Sequence, residues 1–215
     1  MSTLIKSILS IFCSTVMLSG HAQDKPDAPQ SFGYKTSWLA IKTSDVNLVA
    51  QSLMLKNVQS ANWQRGIKAS YDGRVFVSPP VKGWVLVVST AFPDTGDSRS
   101  ADRISPILLD LARKFPDLQF FASQRVAEYY AWAKFGNGKP VRKYAFVGES
   151  GETPWNTGAL SKEETQLGLI FGPDHDEMPN EESVMKIAGA WSINPQELES
   201  MALPVSLGLL GSFAK

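Results

Sequence analysis

The sequence predicts one α+β domain that is built on a mainly antiparallel sheet and preceded by a secretory leader. Three observations support this prediction. Runs of alternating or continuous apolar residues indicate strands. Stretches with apolar residues at helical spacing and with capping residues indicate helices, and both kinds of segment are interspersed along the chain. No low-complexity tract and no fixed-period repeat divides the sequence further.

The first 22 residues have the composition of a cleavable signal peptide. One basic residue, Lys6, precedes a short apolar run over residues 8–18, and small residues then precede Gln23. The apolar run is well short of the roughly 20 residues that a membrane-spanning helix needs. We therefore expect cleavage before Gln23 and a periplasmic or secreted protein. The alternative interpretation is a buried N-terminal helix.

The exported part of the chain is predicted to be a flexible lead-in followed by one domain. Residues 23–32 are polar and proline-rich, which is typical of an unpacked segment, and residues 33–215 form the domain. The only cysteine, Cys13, lies in the leader, so the exported chain is cysteine-free and disulfides cannot stabilise it. Roughly 190 residues are nevertheless enough to bury about 70% of the unfolded surface.

The first half of the domain mixes strands and helical segments. Asp45 supplies an N-cap, Asp72-Gly73 ends a helical region, and Ser105-Pro106 opens the next helix. The predicted strands are residues 34–42, 74–78, 84–89 and 118–122, and the predicted helical stretches are residues 46–53, 60–71 and 107–115. Strand, helical region, strand, strand, helix and strand thus follow one another, which is the βαββαβ order of a ferredoxin-like start. Residues 92–101 are polar and predict a mobile loop.

The second half adds a hairpin and C-terminal helices. Residues 126–135 and 141–147 alternate on either side of Gly136-Asn137-Gly138, so they predict a long hairpin that extends the sheet. A loop is expected over residues 148–158. Helices are expected after the capping box of Ser161 and Glu164 and after Asn180, and the apolar residues 203–213 are expected to pack on the core. We expect the helices to pack on one face of the sheet.

Composition excludes several chemistries. The exported chain has one histidine, His175, which excludes multi-histidine and cysteine zinc sites as well as thiol catalysis. The sequence has no glycine-rich phosphate loop and no G-x-S-x-G motif. The 21 basic and 21 acidic residues balance, so no basic surface is expected for nucleic acid or an anionic membrane. We therefore expect no cofactor, no nucleic acid partner and no membrane-integrated segment after leader cleavage.

Two further segments have alternative interpretations. Asp174, Asp176 and Glu177 offer oxygen ligands for Ca²⁺, but a calcium loop needs more ligands, so we expect a solvated acidic loop and no metal. Residues 185–201 resemble a helix-turn-helix. Its second helix would carry two glutamates and no basic residue, which is unsuitable for DNA phosphates, so we expect a packed helical corner.

Four residues are candidates for binding. Trp63 and Trp155 have polar or proline neighbours and are expected to be partly exposed, as aromatic anchors of protein interfaces are. The alternative is that both fold back onto the core. Glu149 and Glu152 flank a turn near Trp155, and paired carboxylates beside an aromatic ring are used by glycosidases. The alternative is that both simply face water.

The sequence favours an exported, non-catalytic binding or interaction module. An immunity-type or envelope-protective protein that blocks another protein has these properties: no recognisable catalytic set, near-neutral charge, and loops with aromatic and acidic residues. The alternative is a hydrolase that acts outside the cytoplasm through carboxylates alone, with Glu149, Glu152 or Asp174 as candidates.

Overall fold

The structure is a computed structural model that describes residues 24–172 and 177–214. The predicted leader lies outside these residues, as do Asp174 and Asp176 of the acidic loop. The strands are β1 (Thr36–Lys42), β2 (Lys56–Ala61), β3 (Val75–Val77), β4 (Trp84–Ser89), β5 (Leu118–Gln124), β6 (Tyr129–Gly136), β7 (Lys139–Val147), β8 (Glu152–Thr157) and β9 (Gly208–Ser212). The helices are α1 (Val46–Ser52), α2 (Trp63–Ser70), α3 (Ile104–Ala112), α4 (Lys162–Gln166), α5 (Glu181–Trp191) and a 3₁₀ helix (Pro195–Ser200).

All strands of the described residues lie in one sheet. Their order is β2-β9-β3-β4-β1-β5-β6-β7-β8, and each neighbouring pair is antiparallel. Helices are interspersed between the strands along the chain. The predicted α+β class with a mainly antiparallel sheet is therefore confirmed.

The sheet is covered by helices on both faces, so the prediction of helices on one face is wrong. In β1, Trp38 and Ala40 point into a core that includes α2 and α5, whereas Leu39 and Ile41 point into a second core that includes α1 and α3. The reason is that β4, β1 and β5 are buried at nearly every position. A strand that is apolar on both sides has to be covered on both sides.

Three strands are absent from the sequence prediction, namely β2, β9 and the edge strand β8 that is described below. β2 has one fully buried position, Ala61, and therefore shows no apolar alternation. β9 comes from the predicted apolar tail, which enters the sheet between β2 and β3 rather than lying on its surface. A βαββαβ order has one helix between its first two strands. Here β3, β4, β1 and β5 are neighbours in the sheet, but the chain between α1 and β3 also contains β2 and α2. The ferredoxin-like start stays a prediction.

The predicted hairpin is confirmed as β6 and β7. Its turn contains Asn137 and Gly138 with φ values of 52° and 73°, as a two-residue turn of this kind requires. The predicted loop over residues 148–158 contains the edge strand β8, which pairs with β7. Pro154 lies within this strand, and an edge strand tolerates proline because one side of its backbone is not paired.

Residues 24–32 are anchored to the domain, which corrects the expectation of a flexible lead-in. The two carboxylate oxygens of Asp27 accept hydrogen bonds from the backbone N–H groups of Trp63 (2.6 Å) and Gln64 (2.9 Å). These N–H groups lie at the first turn of α2, where a negative charge is favourable. Phe32 is buried in the core. The helix-capping carboxylate of Asp27 and the buried ring of Phe32 therefore hold the segment on the domain despite its polar composition.

A buried ion pair connects α4 to β7. Glu164 accepts hydrogen bonds from Arg142 Nε (2.9 Å), Trp132 Nε1 (2.9 Å) and the backbone N–H of Ser161 (2.8 Å). The side chains of Arg142 and Glu164 are 3% and 0% exposed. Arg142 Nη1 also donates to Asn156 Oδ1 at 2.8 Å. The predicted capping box is confirmed, and its glutamate is also the counter-ion of a buried guanidinium.

Replacement of Glu164 by alanine is expected to lower the free energy of unfolding by about 3–5 kcal/mol, because Arg142 would stay buried without its counter-ion. Urea denaturation of the purified protein measures this loss. Glu163→Ala is the matched control, since Glu163 is 33% exposed and lies 3.9 Å from Lys134; a loss of at most about 1 kcal/mol is expected there. Equal losses in the two variants would contradict the role of the buried pair.

Candidate functional site

A cleft opens at the end of the sheet where β4, β5 and β7 end and where β1 and β6 begin. Its volume is about 620 Å³, which is within the range of ligand-binding sites. The loop over residues 90–103 forms one wall, and the turns after β5 and β7 form the others. The floor consists of residues at the sheet end together with one loop aromatic, namely Ser37, Phe92, Tyr129 and Val147.

The wall over residues 90–103 is held by contacts with the sheet and within itself, although its composition predicts mobility. The backbone N–H of Thr95 donates to the hydroxyl oxygen of Tyr129 at 3.2 Å. Gly96 has a φ of 66°, and a Cβ at this position would lie 2.3 Å from the carbonyl oxygen of Ser100. The turn therefore requires glycine. These contacts give the wall a defined shape.

Asp102 connects this wall to α3 and β8. Its Oδ1 accepts hydrogen bonds from the backbone N–H groups of Ile104 (3.1 Å) and Ser105 (2.9 Å), and its Oδ2 accepts from Trp155 Nε1 (2.8 Å). Lys143 Nζ lies 3.8 Å from Oδ2 and 3.9 Å from the centre of the Trp155 ring. Asp102 therefore accepts hydrogen bonds from the first N–H groups of α3, as a capping residue does. The prediction that Ser105 is the cap is wrong, because Ser105 lies inside the first turn.

Ser105 and Lys143 form a hydrogen bond of 2.6 Å between Oγ and Nζ. Burial lowers the pKa of Lys143, and the charge of Asp102 opposes this change. A serine beside such a lysine is one arrangement for nucleophilic catalysis. However, neither residue lines the cleft, and the N–H of Ser105 donates to Asp102 rather than pointing to a substrate oxygen. The pair therefore anchors β7 to α3.

Trp63 and Trp155 are buried, so the expected partial exposure is wrong for both. The two residues are 0% and 4% exposed. Trp63 packs edge-on against Phe76 with ring centres 5.4 Å apart. In β8 the side chains alternate, so Trp155 points inward while its neighbour Asn156 is exposed. Polar neighbours in the sequence therefore do not indicate an exposed ring here.

Glu149 lies on the turn after β7 and Glu152 is the first residue of β8, and the two have different surroundings. Glu152 accepts hydrogen bonds from the backbone N–H (2.8 Å) and the hydroxyl (2.6 Å) of Ser98, so it fastens the loop wall to the turn after β7. Glu149 is exposed and lines the cleft. One of the two predicted carboxylates is thus part of the wall, and the other faces the space where a ligand would lie.

Asp97 and Arg99 form an ion pair at the cleft. Asp97 Oδ2 accepts hydrogen bonds from Arg99 Nε (2.9 Å) and Nη2 (2.6 Å), and Oδ1 accepts from the backbone N–H of Arg99 (2.9 Å). These hydrogen bonds hold the pKa of Asp97 below its usual value and raise the pKa of Arg99. The lining therefore contains a hydrogen-bonded pair of opposite charges.

The cleft includes residues that are not among the sequence candidates. Asp94, Asp97 and Arg99 line it, and all three come from the loop that composition marks only as polar. A charged cluster between Pro93 and the next helix is the feature of the sequence that points to them. Of the four predicted residues, Glu149 lines the cleft.

No metal cluster or membrane-spanning helix is present in residues 24–172 and 177–214. Within these ranges, no three His, Cys, Asp or Glu side chains are grouped so that they could hold a metal ion. The helices there are also too short or too polar to cross a bilayer. Asp174 and Asp176 of the possible calcium loop lie outside the described residues, whereas Glu177 is exposed.

Glu152→Ala is expected to release the loop wall. Loss of two hydrogen bonds to a charged acceptor should raise the hydrogen-exchange rate of the Ser98 amide by about tenfold. Amide exchange followed by NMR measures this rate. Glu149→Ala is the control, because Glu149 lies on the turn just before Glu152 without fastening the loop, and it should leave the Ser98 rate unchanged. An unaltered rate in Glu152→Ala would contradict the fastening role.

Comparison with known proteins finds no relative of this chain. No protein family, no curated protein and no solved structure shows significant similarity to the chain.

Proposed function

We propose that this chain is an exported, non-catalytic binding module that holds a partner protein at the cleft, in the manner of an immunity-type or envelope-protective protein. The observation that carries the proposal is a cleft of about 620 Å³ whose walls are held by hydrogen bonds of Asp102, Glu152 and Tyr129. A preformed site binds without the entropic cost of ordering its loops, which favours recognition.

The surroundings of the carboxylates support binding over the alternative, hydrolysis by carboxylates alone. Such hydrolysis requires one carboxylic acid and one carboxylate on opposite sides of the bond that is cleaved. Glu152 is engaged by Ser98, and Asp97 is engaged by Arg99. Asp94 and Glu149 are the lining carboxylates that this leaves, and both are exposed to solvent, unlike the acid in an apolar pocket that such hydrolysis uses.

A variant with a blocked cleft tests the proposal. Ala127 is exposed and lines the cleft, so Ala127→Trp is expected to fill its mouth without disturbing the core. Affinity capture from a cell-envelope extract should retain one specific protein on the unmodified chain, and Ala127→Trp should reduce the amount captured by at least about tenfold. The matched control is Ala159→Trp, because Ala159 is exposed beyond the other end of β8.

Two results would contradict the proposal. One is capture that is equal for Ala127→Trp and Ala159→Trp. The other is a hydrolytic activity of the unmodified chain that Glu149→Ala removes, which would favour the alternative function instead.

Export is a separate part of the proposal, and it rests on the leader composition of residues 1–22. We expect the protein recovered from a periplasmic or culture-medium fraction to begin at Gln23. Intact-mass spectrometry of that protein measures the cleavage position. A mass that includes residues 1–22, or recovery only from the cytoplasmic fraction, would rule out export by this leader.

A further inference from the structure

Arg99 lies at the mouth of the cleft, whereas its counter-ion lies deeper in the wall. The side chain of Asp97 is 7% exposed, and that of Arg99 is 61% exposed. The nearby charges of Glu149 and Glu152 also favour the cationic form of Arg99. The carboxylate is therefore fixed by the loop, and the guanidinium is the member of the pair that water can readily solvate.

Carboxylates outnumber cations around the cleft. Asp94, Asp97 and Glu149 line it, and Arg99 is the one basic residue among the lining residues that the structure describes. Glu152 adds a further negative charge at the turn after β7. Several like charges around a cleft attract ligands of the opposite charge. The cleft thus favours a cation over an anion.

The floor of the cleft is apolar and aromatic. Phe92 and Tyr129 are buried, and both contribute to the lining together with Val147. An apolar floor beneath a charged rim suits a side chain that has an apolar stem and a charged head, as lysine and arginine have. Aromatic rings also attract a cation placed over their faces.

We propose that the cleft recognises a lysine or arginine side chain presented by the partner protein, and that Arg99, which now occupies the Asp97 carboxylate, turns away from it when this side chain enters. The inference rests on the proposed binding function and names the chemistry of the partner. The Asp97 carboxylate then becomes the anchor of the incoming cation, the rim carboxylates add attraction, and the floor contacts the stem.

Two short peptides of opposite charge test the proposal. The probes are acetyl-Lys-Phe-Lys-amide and acetyl-Glu-Phe-Glu-amide, and their affinities are measured by isothermal titration calorimetry at low ionic strength. The lysine peptide is expected to bind at least about tenfold more tightly than the glutamate peptide. Its affinity should fall as salt is added, because the exposed rim charges are screened.

Four variants at exposed positions separate the parts of the proposal. Asp94→Asn and Glu149→Gln are each expected to weaken binding of the lysine peptide by about threefold to fivefold. Arg99→Ala is expected to tighten binding by about threefold, because it removes the internal competitor. Glu182→Gln is the control, since Glu182 is paired with Lys186 on α5, and it should leave the affinity unchanged.

Several outcomes would overturn the proposal. These are no detectable binding of the lysine peptide, tighter binding of the glutamate peptide, equal effects of Glu149→Gln and Glu182→Gln, or weaker binding in Arg99→Ala. Affinity capture of the partner protein distinguishes failure of cationic recognition from failure of the proposed binding function. Capture that is lost in Ala127→Trp but unaffected by Asp94→Asn and Glu149→Gln overturns the cationic recognition alone. Capture that is unaffected by all three overturns both.

Discussion

Burial on both faces of β4, β1 and β5 is the constraint from which most of this architecture follows. Each strand presents large apolar side chains alternately to two cores, and full burial of one such side chain contributes about 1.5–3 kcal/mol. Helices α1 and α3 cover one face, and α2 and α5 cover the other. The same requirement accounts for the anchoring of Phe32 in one of these cores. The cleft lies at the end of the sheet, where these buried strands end or begin.

At that end of the sheet, the polar groups around Asp102 are partly buried, and they have hydrogen-bond or ionic partners. Asp102 satisfies two N–H groups of α3 and the indole N–H of Trp155, and Lys143 lies against both the carboxylate and the ring. Leaving any of these groups unpaired in the interior would cost free energy. The network therefore holds the loop over residues 90–103 against β7 and β8. The cleft is a consequence of this attachment, since the loop forms one of its walls.

The features that sequence predicts well are those determined by neighbouring residues. The caps at Asp45, Asn180 and Ser161, and the Asn137-Gly138 turn, depend on a few adjacent positions, and the structure confirms them. β2 and β9 depend on pairing between distant segments, and β2 has almost no apolar pattern to indicate it. Trp155, near the site, also depends on residues that are distant in the sequence. Its polar neighbours suggest exposure, whereas the alternation of β8 and the distant Asp102 place it inside.

The central claim is that the cleft at the end of the sheet is the surface on which a partner binds. Site-specific photo-crosslinking in intact cells tests it most directly, with the crosslinking residue placed at Gln124, which lines the cleft, or at Ala159, which is exposed beyond the other end of β8. The proposed function predicts one protein adduct of defined mass from position 124 and none from position 159. Adducts of equal yield from both positions, or an adduct from position 159 alone, would contradict it.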